Sequence, residues 1–282
     1  MNKRTSPGLF SFGKQLYRKI QLDDVQGVSA QLTYYLILSL FPFLIFLMTL
    51  IGYANISLED KIKDLEQVMP LEAVSLIEEI LQDVAQGRNE ALLSFGMLGT
   101  LWAASKGINA IIKGLNRAYE IDESREFWKI RGIAFLATLI IGFVILLSIL
   151  LLVLGGWLKA QVFQLFDLPY GFQKLWDLLQ YAVPLLVLFL VFTLLYWIAP
   201  SRRLALREVI PGAFFSTIGW IATSVLFSIY VNQFSDFTKT YGSLGGVMIL
   251  LIWLYISSMI LLAGGEINAI LLDRRRVDKE PD

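Results

Sequence analysis

The chain has 282 residues, of which 56% are hydrophobic and 17% charged, with 24 basic and 24 acidic side chains cancelling to no net charge. Soluble domains carry about a quarter charged residues, so the composition points into a membrane and away from a global basic surface for nucleic acid. Histidine and cysteine are both absent, which excludes disulfides, imidazole- or thiolate-held metals, and Ser-His or Cys-His nucleophiles.

Residues 1–29 form a basic, partly amphipathic start, FSFGKQLYRKIQLDDV, that reads as a helix on the cytoplasmic leaflet, with Lys14, Arg18 and Lys19 facing anionic lipid. Its length before the first apolar run does not suit a cleavable signal. The first spanning helix, 30–54, carries Pro42 in its interior, where a lost backbone hydrogen bond predicts a kink. The following loop, 55–90, has apolar residues at 58, 62 and 65 and again at 71, 74, 77, 81 and 84. That spacing predicts two short amphipathic helices capping the outside.

The second helix, 92–117, is the unusual one. Its uncharged part, Ala91 to Ser105, is only 15 residues long. If the helix continues, Lys106, Asn109, Lys113, Asn116 and Arg117 share one face, and Gly99, Ala103 and Gly107 stand four apart in a pattern that admits a close neighbour. Four further spans are expected at 132–158, 178–199, 209–231 and 244–272, each containing a charge-free run near the roughly 20 residues that cross a hydrocarbon core. The loop APSRRLALREVIPGA between the fourth and fifth places Arg202 and Arg203 where guanidinium groups could hold a phosphate.

Basic residues decide the topology. The intervals hold, in order, five, three, six, two, three, one and four lysines and arginines. Alternate intervals total 18 against 6, which puts both termini in the cytoplasm by the positive-inside rule. The expectation is an all-α integral membrane protein of six transmembrane helices, N-in and C-in, with 1–29 and 273–282 as cytoplasmic segments around a 30–272 membrane domain.

Glu266 is the one acid left inside a spanning segment, in ILLAGGEINAILLDRRR. A charged group at that depth costs a few kcal/mol unless paired, hydrated or protonated. Three explanations stand: an ion pair with Lys106 or an arginine of the 202–207 loop, a hydrated pathway that exchanges protons or binds cations, or a helix end nearer the interface. Gly264 and Gly265 admit another backbone, which favours a bundle-facing carboxylate. Asn268 adds weakly to a polar environment.

Together, LSLFPF, WAASKGINAIIKGLNRAYEI leading to FWKIR, RRL…REVIPGA and YGSLGG…LLIWLYISSMILLAGGEINA resemble the YihY / virulence-factor BrkB family of bacterial inner-membrane proteins, from about residue 10 to 275. The resemblance implies a six-helix protein of poorly defined activity, once labelled ribonuclease BN by misassignment, with members linked to movement of envelope lipid. The scattered cytoplasmic acids, such as Asp122, Glu123 and Glu126, do not read as the clustered ligands of a metal-dependent nuclease.

The expected function is transport or flipping of a lipid or other amphipathic, anionic substrate, passive or ion-coupled. A cation or proton pathway and a non-transporting scaffold are the alternatives. The candidate pathway residues are Glu266, Asn268, Lys106, Asn109, Lys113, Arg202 and Arg203. No enzyme activity, metal, cofactor or nucleic acid is expected, and no ATP-binding loop of the Gly-rich Lys-Ser/Thr kind appears. Membrane lipids are the expected partners, and oligomerisation is left open.

Overall fold

The computed structural model describes residues 9–54, 90–144, 170–234 and 244–277. These contain seven helices and no strand. They are α1 (Leu9–Leu22), α2 (Val25–Ala54), α3 (Glu90–Ala118), α4 (Phe127–Val144), α5 (Tyr170–Ile198), α6 (Leu206–Phe234) and α7 (Leu244–Val277). The two amphipathic helices expected within 55–90 and the second half of the 132–158 span lie outside the described residues.

Among the described residues, α2, α4, α6 and α7 contain segments long and apolar enough to cross a membrane, and Ala182–Ile198 of α5 is a shorter apolar run. Their outer faces carry exposed Phe143, Phe214, Ile218 and Leu226, which hydrocarbon tolerates and water does not. The helices run past the charge-free stretches: α2 starts at Val25 where the apolar count begins at 30, and α7 continues to Val277. Apolar length measures the hydrocarbon slab, whereas a helix persists wherever its caps allow. At ~1.5 Å per residue the 34 residues of α7 span about 51 Å, well beyond a ~30 Å core.

Caps set these boundaries. Asp24 has φ 50°, ends α1, and accepts the Gly27 N–H at 3.2 Å as N-cap of α2. At the other end of α3, Ile121 N–H reaches Asn116 O at 2.9 Å and Glu120 N–H reaches Arg117 O at 3.0 Å, a Schellman closure with Glu120 (φ 54°) in the left-handed position that glycine usually takes.

α2 and α3 pack most extensively. Gly96 lies so close that an added Cβ would come 2.9 Å from both Pro42 O and Phe46 N, and one on Gly99 would come 3.1 Å from Pro42 Cβ. The small-residue row of α3 therefore seats α2 along its proline, through which α2 continues as helix. Inside the bundle, buried Thr33, Ser105, Thr138 and Thr217 donate to carbonyls three or four residues back, which satisfies hydroxyls where no water competes.

One end of the bundle gathers the start of α2, the end of α3, the start of α4, the end of α5, the start of α6 and the end of α7. Lys19 reaches Ala118 O at 2.8 Å, Asn116 holds Ser201, Arg125 holds Ala199 O at 3.0 Å, and Arg274 donates to Gln15 at 2.8 Å. We call this the polar end.

Candidate functional site

α3 delivers its polar face to the polar end. Asn109, Lys113, Asn116 and Arg117 line a cavity of about 470 Å³ together with Asp23 and Glu120. Lys113 and Arg117 are exposed there, whereas Asn109 Oδ1 is buried without a hydrogen-bond partner. Asn116, in the cavity lining, is held from two sides. Its Nδ2 donates to Glu123 Oε2 at 2.7 Å, and its Oδ1 accepts from the Ser201 backbone N–H at 2.8 Å. Arg125 grips the same Glu123 with Nε at 2.8 Å and Nη2 at 2.7 Å. This grip holds the Glu123 carboxyl below the usual carboxylate range.

Glu266 lies outside the cavity lining. It is 1% exposed, and its Oε2 has no hydrogen-bond partner. Among the described residues it forms no ion pair, so of the three explanations for it the salt bridge to Lys106 or the 202–207 arginines is not made. Lys106 instead stands 5.7 Å over the Trp102 ring, and Arg202 and Arg203 are exposed, outside the cavity lining. The four cations therefore do not gather into one cluster. Lys113 and Arg117, one helical turn apart, are the pair that borders the cavity.

What faces Glu266 is another carboxyl, Asp23 of the α1–α2 turn, within side-chain hydrogen-bonding reach. Burial pushes Asp23 above the ordinary range, opposed by Lys19 and Arg117. Lys19 is turned inward and not toward lipid. It caps the carboxyl end of α3 at Ala118 O and pairs with Glu120 at 3.1 Å and Asp23 at 3.9 Å. Tyr119 completes the group. Its hydroxyl is buried without a partner near Glu266, Asn268, Glu208 and Arg202, and burial raises its pKa.

Asn268 has a different position in the design. Its Oδ1 accepts the Gly212 N–H at 2.6 Å and its Nδ2 donates to Val209 O at 3.0 Å. Pro211 lies between those residues in α6, so Asn268 ties α7 to the α6 backbone on both sides of the proline. Two polar residues that sequence reasoning missed, Tyr196 and Ser216, bond each other at 2.6 Å, and Tyr196 also donates to Leu261 O. They pack against Gly264, where a Cβ would collide with both side chains. The glycine pair of α7 thus makes room for a neighbour's backbone and hydroxyls beside Glu266.

The family model named Virulence factor BrkB matches residues 16–282. The chain belongs to the BrkB family. This BrkB-family chain is 44% identical over 273 residues to YfkH of Bacillus subtilis (strain 168), whose name calls it ribonuclease-like, covering 96% of this chain and 98% of that one. It is 26% identical over 265 residues to a UPF0761 membrane protein of Alteromonas mediterranea, covering 90% and 85% of the two chains. A UPF0761 membrane protein of Chromohalobacter salexigens is 24% identical over 276 residues, which are 94% of this chain and 64% of the relative. No solved structure matches. The family and the apolar helices make this BrkB-family chain a membrane protein.

Proposed function

We propose that the chain crosses a bacterial inner membrane six times, with both termini in the cytoplasm, and carries an amphipathic substrate with a phosphate group, a lipid, between leaflets. The 18-to-6 distribution of basic residues and the joining of α1 to the end of α7 through Gln15 and Arg274 support this topology. The observation that carries the function is a cavity at the polar end lined by Lys113, Arg117 and Asp23, the last of which interacts with the buried Glu266. Exposed cations suit a phosphate head group at the interface. A buried carboxyl suits an ion that moves with or against the substrate.

The test is translocation of a fluorescent phospholipid in proteoliposomes. The charge-reversed double variant Lys113→Glu/Arg117→Glu should slow it about tenfold, the loss of one or two charge-assisted contacts. An unchanged rate in the folded variant would remove the head group from this rim. The Asp23–Glu266 pair also supports a second reading, a proton or cation pathway without lipid, which current across planar bilayers would report.

A further inference from the structure

We propose that Asp23 and Glu266 work as one proton-exchanging carboxyl pair, with Asp23 as the port between the cavity and the buried Glu266. Asp23 touches both sides. It lines the cavity, and its carboxyl faces Glu266 on α7 across 243 positions of sequence. Beyond it, Glu266 Oε2 and the Tyr119 hydroxyl are both buried without partners. Two carboxyls in mutual reach do not ionise independently, because the second charge is added against the first.

The surrounding charges favour a mobile proton over a fixed pair. From α1, Lys19 stands 3.9 Å from Asp23 and 3.1 Å from Glu120. From the end of α3, Arg117 and Glu120 act on Asp23 with opposite sign. Tyr119 faces Glu266, with Glu208 and Arg202 of the α5–α6 region acting on its hydroxyl, and Asp273 on α7 lies within the field of Lys19, Glu120 and Arg202. Lys19 is therefore shared among four acids, Asp23, Glu120, Glu266 and Asp273, and does not neutralise Glu266 alone. Transfer breaks the O–H bond of Asp23 as one forms on Glu266. Asp23 is left ionised beside Lys19, able to take the next proton from cavity water.

The proposal rests on reading the cavity as an aqueous entrance but not on any lipid substrate. It is tested on the full-length protein in detergent by infrared difference titration of the carboxylic-acid carbonyl bands. The band lost in Glu266→Gln identifies that residue. In Asp23→Asn its titration midpoint should move by about one pH unit or more, the mark of strong coupling, and in Asp24→Asn, which keeps the α2 cap acceptor, it should not move. An unmoved midpoint in Asp23→Asn overturns the pair, and so does a Glu266 band that never titrates. If the coupling is found while phospholipid translocation fails, the pair stands and the lipid reading falls.

Discussion

Asn268 on α7 clamps α6 on both sides of Pro211, accepting from Gly212 N–H at 2.6 Å and donating to Val209 O at 3.0 Å. Both bonds are fully buried. Asn268→Leu removes both of these buried bonds between α7 and α6, at about 0.5–1.5 kcal/mol each. It should lower the unfolding temperature more than it changes substrate affinity, and loss of affinity at unchanged stability would contradict the clamp. Gly212→Ala should be worse still, since its Cβ would meet Gly264 O and the Asn268 amide at once.

The seam between α2 and α3 makes a second prediction. Gly96→Leu must push Pro42 O and Phe46 N away, with backbone on both sides and no flexible side chain to yield. Loss of folded yield by size-exclusion in detergent is expected. Gly142→Leu, with nothing within 4 Å of its Cβ, serves as the tolerated control.

Glu120 holds a left-handed conformation that costs a side-chain-bearing residue about 1–2 kcal/mol. Its carboxyl is mostly exposed, so the Lys19 pair offsets little of that. Glu120→Gly should be at least as stable as the parent, measured by thermal unfolding. A clear loss would show that the ion pair outweighs the backbone.

Acidification should separate two carboxyls by sign. The fold lowers Glu123, so its ionised form stabilises the protein above the ordinary carboxylate pKa, and that contribution is lost as pH falls through the lowered one. Glu123→Gln should cost about 0.5–1 kcal/mol at neutral pH, since the Arg125 pair is solvent-screened, a deficit that shrinks in acid. The fold raises Asp23, so its charge is a penalty at neutral pH that is relieved as pH falls through the raised pKa. Asp23→Asn should match or exceed the parent in stability at neutral pH and lose any advantage in acid.

Much of this fold can be read from the sequence, and the reasons differ by feature. The Gly99, Ala103, Gly107 row announces a close neighbour because small residues at helical spacing leave a groove, and α2 fills it. The GGE cluster announces a bundle-facing position for the same reason, and Glu266 is buried there. Partners are harder to read. Asp23 looks like a loop acid beside a helix cap, and nothing in its neighbourhood of sequence names a residue 243 positions away. Lys106 and the 202–203 arginines look like one cluster when only charge and depth are counted. The indole of Trp102 and the outward turn of the loop separate them. Lys19 reads as a lipid-facing cation on an amphipathic helix, yet the carbonyl end of α3 draws it inward.

The most direct measurement is translocation of a fluorescent phospholipid by proteoliposomes holding the parent protein or Glu266→Gln, at two pH values on either side of neutrality. Translocation by the parent should exceed that of protein-free vesicles and depend on pH, with the pH dependence lost in the folded variant. A folded, reconstituted parent no faster than protein-free vesicles would contradict lipid movement, and equal pH dependence in parent and variant would make Glu266 a structural residue.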